Sequence, residues 1–135
     1  MRITAIVVAA LLTATLCGCG SQPEQLGDSS ASAVSALRTS ALALELDADG
    51  RAWRPSIDTA LADALTELGD ASRSTIELVP ADAHKEQARD EVADKLQQAL
   101  TVVAGARAAL AQGEPLAPWV ERLEDAASAL EETAR

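Results

Sequence analysis

From residue 28 onward, apolar residues recur at steps of three and four, in four segments separated by glycine or proline. That period places side chains on one face of an α-helix and is incompatible with the two-residue period of a half-buried strand. It restricts the chain to helices packed on one another. Val34, Leu37, Ala41 and Leu44 form the first stripe, behind the capping oxygens of Asp28, Ser29 and Ser30. Gly50 suits the left-handed conformation that ends such a helix. Ile57, Leu61, Leu65, Leu68, Ser72 and Ile76 form the second stripe, opened by Pro55 or Ser56 and closed by Pro80. Asp82 caps a third and longest segment, with Ala88, Val92, Leu96, Leu100, Val103 and Leu110 facing one way until Gly113 and Pro115 stop it. Leu116, Val120, Leu123, Ala127 and Leu130 make the fourth stripe, with Pro118 confined to its first turn.

Residues 41–54 admit two readings, because Leu42, Leu44 and Leu46 also alternate ahead of Asp49-Gly50, as in a β-hairpin. The returning arm, Arg51 to Pro55, is short and ends in proline, so a helix end is the reading adopted. The expected fold is all-α: an antiparallel up-down-up-down bundle of three to four helices over residues 28–135. Its core would be built from Leu, Val and Ala, since the chain has no Phe or Tyr and only Trp53 and Trp119.

The first residues are different. Arg2 is the only charge before an apolar run from Ile3 to Leu16. Fourteen helical residues reach about 21 Å, short of the roughly 30 Å of a hydrocarbon core. A short apolar run behind a positive N-terminus reads as an export signal. Behind it, Gly20 to Gly27 has linker composition, expected to be a flexible tether with a reach of roughly 16 Å.

Leu16-Cys17-Gly18-Cys19 resembles the lipobox of bacterial lipoproteins, with Leu three residues before the modified cysteine and a small residue directly before it. The resemblance implies a signal peptide over residues 1–18, cleavage between Gly18 and Cys19, and lipid on the Cys19 thiol, with residues 19–27 as lipidated cysteine and tether. Two or three acyl chains hold a membrane stably where one does so only marginally. Cys17 would leave with the signal and Cys19 would be alkylated, so neither a disulfide nor a free thiol is expected in the mature protein. Glycine after Cys19 means that the aspartate-type retention signal of Gram-negative lipoproteins is absent. The expected address is the outer face of the cell membrane, or the outer membrane where the envelope has two. The mature part resembles small uncharacterised helical lipoproteins of high-GC bacteria, a resemblance that points to no named family.

Charge narrows the function classes. The chain of 135 residues carries −10, and removal of residues 1–18 takes away one arginine and leaves −11. Nucleic acid is not an expected partner, because phosphate binding needs a positive footprint. A polybasic grip on anionic lipid is excluded on the same ground.

Candidate chemistry is sparse. His84, the one histidine, lies in Asp82-Ala-His-Lys-Glu86, where no carboxylate stands three or four residues away on its face. The sole Met is the initiator, which removes the Met/His ligation of haem bundles. Asp47-Ala-Asp-Gly50 resembles the centre of a calcium loop, but Ser56 stands where a bidentate Glu is required. Glu121/Asp125 and Glu131/Glu132 read as solvated helix surface. No metal and no cofactor is expected beyond the lipid on Cys19, and no enzymatic activity.

The remaining candidate is a partner-binding spot made by Arg51, Trp53 and Arg54, with Trp119 at the same end of the bundle, since Trp and Arg are enriched in interface hot spots. With a membrane anchor before helix one, that end would point away from the membrane. The competing reading has both rings capping the core. Polar residues 82–95 are also expected to form a stalk, projecting with the end of helix two and open to pairing with another copy or a partner helix. The expected role is a non-enzymatic, membrane-anchored interaction or scaffold module binding an envelope protein. The alternative is a binding protein for a small apolar ligand or lipid held within the bundle.

Overall fold

The computed structural model describes residues 22–134, which form four helices: α1 (Gln22–Ala48), α2 (Arg54–Glu77), α3 (Ala83–Gln112) and α4 (Ala117–Thr133). The chain is all-α, and no strand occurs among the described residues; the hairpin alternative at 41–54 gives way to a helix that runs through Leu42, Leu44 and Leu46 to Ala48. Each helix packs on the next, α4 closes on α1, and α1 also touches α3 across the middle. Cross-helix pairs fix the directions. Asp58 meets Arg107 and Leu78 meets Arg89, so numbers run oppositely along the α2–α3 seam. Ser32–Glu67, Arg38–Glu131 and the approach of Trp119 to Gly105, with the short connections, make the other seams antiparallel too.

The core is one column of small and medium side chains. In α2 the buried positions are Ile57, Leu61, Ala64, Leu68, Ala71 and Thr75; in α3 they include Val92, Leu96, Ala99, Val103, Ala106 and Leu110. Both sets step alternately by four and three, the repeat that keeps one seam facing its partner in a slightly supercoiled bundle. This corrects the stripe expected for α2. Ile76 is exposed and Leu65 and Ser72 are only partly buried, while Ala64, Ala71 and Thr75 take the inner positions. Likewise Ala99 is buried and Leu100 only partly. Small residues at Ala33, Ala41, Ala99 and Ala106 let α1 and α3 come close.

Helix α1 begins six residues before the Asp28 cap that the sequence offered. The tether assigned to residues 19–27 is therefore helical from Gln22. Pro23 falls in the first turn, where a missing N–H costs nothing, and Leu26 packs against the core one heptad before Ala33. Residues 1–21, with the lipobox and Cys19, lie outside the described residues.

Turns at one end follow the sequence closely. Gly50 (φ 66°) and Gly113 (φ 71°) both take the left-handed conformation. Arg51 N–H donates to Leu46 C=O and Gly50 N–H to Asp47 C=O; Glu114 and Gly113 repeat this on Ala109 and Leu110. These paired bonds satisfy carbonyls that a helix C-terminus leaves open. At the other end, Asp82 accepts a hydrogen bond from the Lys85 N–H at 2.9 Å and starts α3.

Helix lengths leave the two ends unequal. At 17 residues α4 spans about 25 Å, whereas the 27 residues of α1 span about 40 Å. The Arg38–Glu131 ion pair (2.7 Å) sits two residues before α4 stops, so α1 continues alone past that helix. The far end is thus built from α1, α2 and α3. The two-helix stalk expected from residues 82–95 is a three-helix end instead, although Ala83 to Gln87 are exposed as anticipated.

Candidate interaction surface at the tryptophan end

The α1–α2 and α3–α4 connections lie at the same end, and each delivers one tryptophan. Trp53 is the N-cap of α2, in extended conformation (φ −91°, ψ 126°), and its side chain caps nothing. Its carbonyl accepts from Ser56 N–H (2.8 Å) and Ile57 N–H (3.3 Å), which fixes the backbone at the helix start. Ala52 packs against the core on one side of it and Ile57 on the other. The ring between them points out and is 74% exposed. Arg51 and Arg54 flank it, also exposed.

Trp119 has a different fate. It stands in the first turn of α4, half-buried, with its six-membered ring against Gly105 of α3. The Arg122 guanidinium lies over the ring at 4.7 Å from its centroid, a cation–π arrangement. Trp119 thus seals the α3–α4 seam, as the core-capping reading supposed for both rings, while Trp53 does not. Of the four residues expected at this spot, Arg51, Trp53 and Arg54 form one exposed stretch of chain, and Trp119 serves the bundle.

One ion pair stiffens the same end. Arg107 donates from Nε to Asp58 Oδ1 at 2.7 Å and from Nη2 to Oδ2 at 3.1 Å, joining α3 to the second turn of α2. The hydrogen bond from Arg107 holds the Asp58 carboxyl below its ordinary range, with burial opposing and the guanidinium charge adding to it. The Arg107 guanidinium is correspondingly pushed up. The pair is about half exposed on each side, so it orients the α2–α3 seam more than it stabilises the fold.

A groove of about 710 Å³ opens elsewhere, along α1 where α4 ends. Gly27, Ser30 and Val34 line one wall, Glu131 and Ala134 the other, and the Arg38–Glu131 pair spans it. Ser30 and Thr75 carry the buried hydroxyls that have no hydrogen-bond partner among the described residues. Other exposed large apolar side chains are Leu42, Ile76 and Val79, the last two at the end away from the tryptophans.

His84 is exposed in the first turn of α3, and no group of three or more potential metal ligands occurs among the described residues. Asp47 and Asp49 belong to the turn that ends α1. Glu121 and Asp125 face solvent, and Glu131 is engaged by Arg38. Among the described residues, no helix is long and apolar enough to cross a membrane.

Sequence reasoning passed over Gly105, Thr75 and Val79, and it read Ser30 as a capping oxygen where the structure buries it inside α1. Gly105 had a readable signal, since a glycine inside an Ala-rich helix marks a close approach. Val79 lay between a helix end and Pro80, where periodicity carries no information. No family model, curated protein or solved structure matches this chain.

Proposed function

We propose that the chain is a lipid-anchored protein of the cell envelope whose helical bundle is a non-enzymatic interaction module, docking an envelope protein through Trp53 with Arg51 and Arg54. The carrying observation is the exposure of Trp53, 74%, on a helix start whose backbone is hydrogen-bonded. A tryptophan offers a large contact area at little entropic cost, which is why it recurs at binding hot spots. Lipid on Cys19 is the proposed anchor, at the opposite end of α1. The address is the outer face of the cell membrane, or the outer membrane of a two-membrane envelope.

Photo-crosslinking in intact cells tests this, with the reactive residue introduced at Arg54. A discrete crosslinked envelope protein, lost on Trp53→Ala and retained on Leu42→Ala, supports the reading. An unchanged crosslink pattern in Trp53→Ala refutes the docking role. Labelled palmitate retained by Cys19→Ala refutes the anchor.

A second reading, a binder of a small apolar molecule or lipid, rests on the groove beside α4. It requires lipid that co-purifies with the protein and is displaced by a Ser30→Leu substitution.

A further inference from the structure

We infer that the end of the bundle carrying Ile76 and Val79 is a second membrane contact, in which these side chains enter the interface of the lipid layer that holds the anchor. The inference rests on the lipid-anchor reading and adds an interaction surface to it.

The start of α1 supplies the geometry. With lipid on Cys19, only Gly20 and Ser21 stand between the modified residue and the helix at Gln22. Three residue steps reach at most about 11 Å. A tether of eight flexible residues would have let the bundle stand off; this one does not. The beginning of α1 is therefore held within the headgroup region.

The Ser32–Glu67 hydrogen bond then sets what lies beside that point. The two helices are antiparallel, so ten residues back along α1 and ten forward along α2 bring Gln22 level with Glu77. Ile76 and Val79 are at this level, 64% and 78% exposed, and Leu78 is extended (ψ 131°), carrying the chain out of the helix toward Val79 and Pro80. Neither side chain contributes to the core. Amphipathic surface segments bury apolar side chains about 5–10 Å into the headgroup boundary, the same range as the reach of the short link.

Charge selects the kind of lipid contact. Glu77, Asp82 and Glu86 stand in sequence on either side of His84 and Lys85 at this end, where Arg89 is bonded to the Leu78 carbonyl, on a mature chain of −11. Attraction to anionic headgroups would not draw it down, so the contact is apolar insertion that added anionic lipid does not strengthen.

The test uses the mature protein with its lipid on Cys19, purified from membranes and reconstituted in phosphatidylcholine vesicles. Val79→Cys then supplies the free thiol for a fluorophore, and vesicle lipids carry a nitroxide at a shallow acyl position. The expected result is at least twofold quenching at position 79, with the same label at Arg51→Cys unquenched, because α2 holds that end about 36 Å away. Ile76→Cys is a second site, expected to be quenched as well. Mass spectrometry and vesicle flotation are read first: a chain without lipid on Cys19 overturns both the anchor and this inference. A lipidated, floating chain whose label at 79 is quenched no more than at 51 overturns this inference alone. So does a 79-to-79 crosslink between two copies that excludes the nitroxide.

Discussion

The indole of Trp119 fills the space that a side chain on Gly105 would need. A Cβ at Gly105 would stand 2.5 Å from Cζ3 of that ring and closer still to Cη2, while the Arg122 guanidinium lies over the ring. Gly105→Ala should therefore be judged in two backgrounds. In the native chain the clash costs about 1–3 kcal/mol, against about 1 kcal/mol gained from helix propensity. With Trp119→Ala the clash is gone and the same change should stabilise by about 1 kcal/mol. Urea unfolding of the four proteins measures this coupling, and a substitution with one sign in both backgrounds would refute the packing account.

The Asp58–Arg107 pair makes a pH prediction. The Asp58 carboxyl lies below its ordinary value of 3.8 when folded, so the folded protein binds that proton more weakly than the unfolded chain. Its stabilising contribution is present above the unfolded value and lost as pH falls through the lowered folded one. Asp58→Asn should thus lower Tm slightly at neutral pH, and the gap to the native protein should close below pH 3.8. Thermal melts across that range check it. A constant gap down to strong acid would show that the pair is not the cause.

Trp53 should behave in the opposite way to Trp119. Its ring touches solvent over most of its surface, so Trp53→Ala should change stability by no more than about 0.5 kcal/mol. Trp119→Ala should cost about 1–3 kcal/mol, since a half-buried ring and its cation–π partner are lost. Equal losses in urea midpoints would mean that Trp53 is part of the bundle and not its outer surface.

The helices were legible because apolar spacing reports one face whatever the side chains weigh. The glycine ends were legible too, since Gly50 and Gly113 sit where only a left-handed residue closes the turn. Two features were not. The inner face of α2 is hidden in the sequence because Leu65 and Ile76 are larger than Ala64 and Thr75, yet the smaller pair is the buried one. In an Ala-rich bundle the closest helix contacts fall on the small residues, so the regular four-three step is the better guide. The beginning of α1 was hidden because Gly27 and polar neighbours dilute the stripe, although Leu26, Ser30, Ala33 and Leu37 continue it unbroken. At the tryptophan end, Gly105 inside an Ala-rich helix signals a close approach, but nothing in the spacing says that Trp119, and not Trp53, fills it.

Thr75 gives the last test, because it occupies an inner position on α2 that the four-three step assigns to the core. Its side chain is fully buried, and its Oγ1 has no hydrogen-bond partner among the described residues. The helical threonines Thr59 and Thr66 instead donate to carbonyls four residues back. A buried hydroxyl without a partner has given up water for nothing, whereas a methyl of the same shape has no such cost. Thr75→Val should raise stability by about 1 kcal/mol, read as a higher urea midpoint with unchanged slope. Thr66→Val, on the exposed face of the same helix, should not. If Thr75→Val destabilises, its hydroxyl is hydrogen-bonded in solution and the inner register of α2 needs revision at this turn.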